Sequence, residues 1–312
     1  MQTSITTTDL LSPAARCRAR LPQSCVPQLG DGDGPEPSPA SRRGYRAGQG
    51  RALAGSALGL LLSTAFCLFA LADRSQAGED AASTPISHVV ELFTSQGCRT
   101  CPTAETVLSD LDADPSLLVL AYHVDYWDYI GWQDLYGSTD NTNRQRAYQE
   151  SFSLPSLYTP QLVVNGRAQL VAAPDQPVAE TVARIPSLAT EQKAWVRLES
   201  AGEQVKIRAG LSDPMAGGPM PVLILVTFDE EAETVITRGE NAGSTLRQTH
   251  PVRDWRILGM WSGEALKIEL PLATLVEDAH GPNGCAALIQ AMSPDGSPGP
   301  ILAAAKLELP DH

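Results

Sequence analysis

The sequence predicts an α/β domain over residues 85–190 followed by an all-β, sandwich-like domain over residues 191–312. Three observations carry this. Apolar segments of strand period and helix period alternate through the first region. After Pro186 the pattern changes to short β-branched segments parted by Gly, Pro and Asp. A close pair of cysteines, Cys98-Arg-Thr-Cys101, stands where the first strand gives way to the first helix.

The residues ahead of these regions belong to neither. Residues 1–50 are rich in Pro, Gly, Ser and Arg without apolar period, and read as a disordered, low-complexity extension. Residues 51–72 read as a signal peptide. Arg42, Arg43, Arg46 and Arg51 precede the apolar run Ala52–Ala72, and Ala70-Leu71-Ala72 supplies small residues for cleavage. An uncleaved membrane anchor is the alternative, since the run is long enough to span. The expected location is therefore periplasmic or secreted, or membrane-anchored if the signal stays.

Removing residues 1–72 takes seven Arg and four acidic residues with it, leaving 16 basic against 32 acidic residues and a net charge of −16. So acidic a surface argues against nucleic acid and, once the signal is gone, against anionic membranes as partners. It also leaves Cys98, Cys101 and Cys285. One close pair and one spare do not make a structural disulfide framework.

Within the first region, Ser87–Thr94 alternates as a strand and ends just before Cys98. Ala104, Val107, Leu108 and Leu111 follow at helical spacing, so the cysteines open a helix. There the helix dipole and free N–H groups favour a thiolate, and Arg99 adds a positive charge. Pro102 is tolerated only in the first turn. Leu117–Val124 is nearly all apolar, as befits a strand covered on both faces. An aromatic, helical insertion leads to Thr159-Pro160, where a cis bond is a candidate. Asn165-Gly166 between apolar runs marks a hairpin, and Val178, Val182 and Ile185 mark a helix.

This order resembles the thioredoxin superfamily, so the expected fold is an α/β thioredoxin-like domain followed by the all-β sandwich-like domain. The resemblance implies that Cys98 is the exposed nucleophile, that Cys101 resolves, and that Thr159 and Pro160 position a substrate. The aromatic insertion departs from it. In finer detail, Glu91-Leu-Phe-Thr-Ser-Gln-Gly-Cys-Arg-Thr-Cys-Pro102, Tyr122-His-Val-Asp-Tyr-Trp-Asp128, Gly131-Trp132, Arg144-Gln145, Tyr158–Arg167 and Arg238-Gly-Glu-Asn241 resemble the exported bacterial family catalogued as domain of unknown function 1223. That family lends no established activity.

The chemistry expected is thiol–disulfide exchange by Cys98 and Cys101, with a cysteine-containing exported protein or a small thiol as partner and no cofactor. Arg99, His123, Asp125 and Trp127 are the accessory candidates; the plainer reading makes His123 a hydrogen-bonded strand-end residue. The competing function is a redox-inert or copper-binding module, with Cys98, Cys101 and His123 as ligands. Structural zinc fails for want of a fourth ligand. Tyr126, Trp127, Tyr129 and Trp132 either wall a substrate or pack the insertion down. Arg144 is expected to pair with Asp125 or Asp128, Arg238–Asn241 to be a plain turn, and Cys285 to be core. The second region carries no motif with chemistry; it either positions a partner or covers the cysteine edge, or only stabilises.

Overall fold

A computed structural model describes residues 85–173, 176–191, 194–212, 220–260, 265–275 and 283–309. The expected extension and the signal peptide lie outside the described residues. The described residues all fall within one compact unit.

The first sheet has the order β2-β1-β3-β4, from β1 (His88–Thr94), β2 (Leu117–His123), β3 (Gln161–Val164) and β4 (Ala168–Val171). β1 and β2 run parallel, and the other pairs are antiparallel. Between β3 and β4, Asn165 (φ 51°) and Gly166 (φ 61°) both take positive φ, the mirror-image turn that Asn-Gly favours. Gly166 is also forced by space, because a Cβ there would meet the Gly299 carbonyl oxygen at 2.4 Å. The free edge of β2 is occupied: Ala121 N–H donates to the His250 carbonyl at 2.9 Å.

The second sheet, β10-β7-β12-β13, is antiparallel, from β7 (Met220–Phe228), β10 (Val252–Met260), β12 (Gly284–Met292) and β13 (Pro298–Glu308). A third joins β11 (Leu266–Pro271), β6 (Gln204–Leu211) and β5 (Ala194–Ala201). A fourth is the hairpin of β8 (Glu231–Val235) and β9 (Thr245–Thr249).

Side chains along a strand point alternately to its two faces, and β7 shows what that does here. Val222, Ile224, Val226 and Phe228 pack against Phe93, Leu118, Leu120 and Tyr122 of the first sheet. Leu223 and Leu225 pack the other way, against Val196, Leu198, Val205 and Ile207 of the third. The outer face of the first sheet is covered by α1 (Cys101–Asp112) and α3 (Val178–Arg184), through Ala104, Leu108, Val178 and Val182. The layers are thus helix, sheet, sheet, sheet.

This corrects the expected α/β thioredoxin-like domain followed by an all-β sandwich-like domain. The described chain is mostly β, with thirteen strands in several small sheets against four α-helices among the described residues. No separate thioredoxin-like α/β fold stands out, because what covers the inner face of the first sheet is another sheet. Period told that Leu117–Val124 is buried on both faces; it carried no information about what does the burying.

A buried ion pair lies in that inter-sheet core. Arg144, on α2 (Thr139–Ser151), sits 2.6 Å from Glu91 of β1, whose other oxygen accepts from the Tyr148 hydroxyl at 2.6 Å. Gln290 of β12 accepts from Arg144 at 3.2 Å and donates to Tyr148. The expected pairing of Arg144 with Asp125 or Asp128 is therefore corrected. Arg144 is turned inward between sheets, where only a fully bonded carboxylate offsets its desolvation. Among the described residues no helix is long and apolar enough to cross a membrane.

Candidate functional site

Cys98 and Cys101 form a disulfide, with Cα atoms 5.4 Å apart, at the entry to α1. Pro102 falls in the first turn of the helix, where its missing N–H removes nothing. Arg99 and Thr100 between the cysteines are exposed. Cys98 is not: both cysteines keep 1% of their surface, against the expectation that Cys98 would be the exposed one.

The cover comes from the second region. Asn241 donates from its side-chain amide to the Gln96 carbonyl at 2.8 Å and to the Cys98 carbonyl at 3.0 Å. The segment Arg238–Asn241, expected to be a plain turn, thus closes over the cysteine loop. Gln96 is held further by accepting from Trp132 Nε1 at 3.0 Å and donating to Thr234 of β8 at 3.0 Å.

The aromatic insertion packs down on the same loop. The Trp127 Cβ lies 3.2 Å from where a Cβ on Gly97 would be, so glycine there permits the approach. Trp127 Nε1 donates to Thr159 Oγ1 at 2.8 Å, and the Thr159–Pro160 bond is cis. Trp127 therefore connects the cysteine loop to Thr159. Tyr126 and Trp132 are tied down by hydrogen bonds, while Tyr129 is 81% exposed. Asp125 faces α2 instead, accepting from Thr139 and Thr142 at 2.6 Å each. Burial pushes its pKa up, but those hydrogen bonds outweigh it and hold it below the usual range.

Beneath the disulfide lies a buried acid–imidazole cluster. His123, at the end of β2, donates from Nδ1 to Asp134 at 2.8 Å. Asp134 also accepts from the Gln96 and Tyr136 N–H groups, and is held low despite its burial by the His123 charge and these bonds. For His123, burial lowers the pKa, yet Asp134 more than compensates and raises it. On the other side, His123 Nε2 stands 4.0 Å from Glu105 Oε1. Glu105 lies one helical turn after Cys101, on the buried stripe of α1. Burial first, opposed by His123, lifts its pKa to about 7.

These groups share a cavity of about 240 Å³, lined among others by Thr94, Cys101, Glu105, His123, Arg247 and Gln248. Glu105, Asp134 and Gln248 escaped the sequence reading, and Asn241 was read only as part of a turn. Glu105 alone left a signal, as an acid among the apolar positions 104, 108 and 111 of one helical face. Among the described residues no group of three or more His, Cys, Asp and Glu is placed to hold a metal ion. Cys285 lies buried in β12, as core.

The model of the family described as a protein of unknown function, DUF1223, matches residues 89–290. The chain belongs to this family. In this DUF1223 protein the match takes in both the cysteine loop and the segments that cover it. It is similar to the solved structure of protein AGR_C_4864 from Agrobacterium tumefaciens, at 30% identity over 74% of this chain and 100% of that one, with a TM-score of 0.60. HBP35 of Porphyromonas gingivalis is 14% identical over 73% of this chain and 76% of that one, with a TM-score of 0.51, a likeness of fold alone. No curated protein matches the chain.

Proposed function

We propose that this protein is an exported thiol–disulfide oxidoreductase whose reacting group is the Cys98–Cys101 bond. The observation that carries this is the placement of that bond beside Glu105, a buried carboxyl with a pKa of about 7 in the cavity that Cys101 lines. Thiol–disulfide exchange makes thiolates and must protonate or deprotonate them as it runs. A group that is half ionised near neutrality can do both, since the best acid–base pKa lies near the working pH. His123, kept oriented by Asp134, tunes that carboxyl from 4.0 Å away. Cys285 is excluded from the chemistry by burial, which pushes its thiol up to about 12. Support for export comes from the sequence, in the apolar run Ala52–Ala72 and the acidic charge that follows it.

The test is a redox titration of the full chain against glutathione buffers, following Cys98 and Cys101 by alkylation and peptide mass. A reversible two-electron couple confined to this pair is expected. A pair that stays closed through every buffer and on dithiothreitol, with the fold intact, overturns the proposal. Repeating the titration with Cu(I) separates it from a metal-carrying role, in which stoichiometric binding to the reduced chain would be lost in His123→Ala.

A further inference from the structure

Five polar atoms at the cavity beside the disulfide are buried without a partner at full hydrogen-bond geometry: both carboxyl oxygens of Glu105, which Thr94 and the Thr249 N–H approach only loosely, and His123 Nε2, Thr94 Oγ1 and Gln248 Oε1. Buried polar groups are nearly always bonded, so a cluster of bare ones facing a common space calls for something to fill it. Three of the five, the Glu105 oxygens and Gln248 Oε1, are acceptors, and Thr94 can accept as well. The side chains of His123, Thr94, Gln248 and Glu105 are each more than nine-tenths buried.

From this we propose, resting on the oxidoreductase reading above, that the cavity binds a small thiol carrying a primary ammonium group. An ammonium presents three donors on one compact head, which suits these acceptors and the ionisable carboxyl among them, while the Arg247 cation at the same cavity is already paired with Glu231 and Glu233. A metal ion fits less well, because no three His, Cys, Asp or Glu are gathered for one among the described residues. Size narrows the class. About 240 Å³ is below the ~300–1,000 Å³ of pockets that take drug-sized ligands, so the occupant has few heavy atoms. A tripeptide thiol or a folded partner's loop is too large to be enclosed.

Cys101 is the cysteine on the cavity wall, so the bound thiolate attacks its sulfur. The bond to Cys98 breaks, and Cys98 leaves as a thiolate beside the Thr100 hydroxyl, 3.5 Å away. A second aminothiol, as thiolate, then attacks the sulfur of the first in the mixed disulfide and releases Cys101. Two aminothiols become one symmetrical disulfide, their two electrons reduce the protein bond, and the two protons they lose end on Cys98 and Cys101. The resolving role that the sequence suggested for Cys101 passes in this scheme to the second thiol.

The experiment measures the rate of reduction of Cys98–Cys101 in the full chain by cysteamine, 2-mercaptoethanol and 3-mercaptopropionate, each at equal thiolate concentration. Cysteamine should be faster than 2-mercaptoethanol by about tenfold or more, the worth of one charge-assisted hydrogen bond, and 3-mercaptopropionate slowest. In Glu105→Gln the cysteamine to 2-mercaptoethanol ratio should fall towards one; should that variant not fold, Gln248→Leu carries the same comparison. Equal rates for the three thiols on the wild type mean a cavity filled by water alone, which overturns the aminothiol while leaving the oxidoreductase standing. Failure of every thiol to open the bond removes both.

Discussion

Replacing Glu105 by Gln should make the protein more stable at alkaline pH and change it little in acid. The carboxyl is lifted from 4.5 to about 7 by burial, and each unit is worth ~1.4 kcal/mol. Between those two values the folded chain holds a proton that the unfolded chain has released, so stability falls as pH rises across the window and stays lower above it. The loss is about 3 kcal/mol, and Gln, isosteric with the protonated acid, escapes it. His123 contributes a fall of its own: its raised pKa gives stability that is full below the unfolded value and lost as pH rises through the folded one. That fall is largely common to both proteins and drops out of the difference. It trims the gain somewhat, because part of the His123 shift comes from Glu105 itself. Urea unfolding of the oxidised chains, followed by tryptophan fluorescence from pH 4.5 to 8.5, measures the difference directly. A difference that stays constant across this range, or a Glu105→Gln chain that is less stable at pH 8, would refute the argument.

Other perturbations follow from neighbouring contacts. Arg144→Met leaves Glu91 buried beside Tyr148 without its cation, and should cost about 3–5 kcal/mol in the same assay; a loss below about 1 kcal/mol would mean that water reaches the carboxylate. Asn241→Ala removes both side-chain bonds to the cysteine loop, and should lower stability by about 1–3 kcal/mol and speed reduction of the disulfide by dithiothreitol; unchanged reduction would show that the Asn241 segment is no barrier. Cys285 should resist iodoacetamide in the folded protein at pH 8 and react only on unfolding, because burial holds its thiol up near 12.

Local elements were more legible than the way they assemble. Asn165-Gly166 demanded a tight hairpin, and Cys101–Leu111 carried both a helical stripe and a proline that fits only the first turn. β7 looked simply apolar, since a strand buried on two faces loses the alternation that would have said which face meets which partner. The hairpin of β8 and β9 was hard to see, since Thr245–Thr249 has a single apolar residue, Leu246, and so no alternation to mark a strand. Its Gln248 consequently went unnoticed. The cysteine pair could be found from its spacing. Asp134 and Asn241 could not, because each reaches the cysteine loop from an irregular segment far along the chain, and such contacts leave no period in the sequence.

Asn241 reaches the cysteine loop across a separation of 143 residues, and that separation has a meaning in time. At ~5–20 residues per second of synthesis, the loop would wait roughly 7–30 s for the residue that covers it. Over that interval Cys98 and Cys101 are two open thiols on a growing chain. Whatever oxidises them in the first instance therefore meets an uncovered pair, and needs none of the fit that the finished protein imposes. In the folded protein the Asn241 cover is in place, so anything that opens the bond later has to get past it.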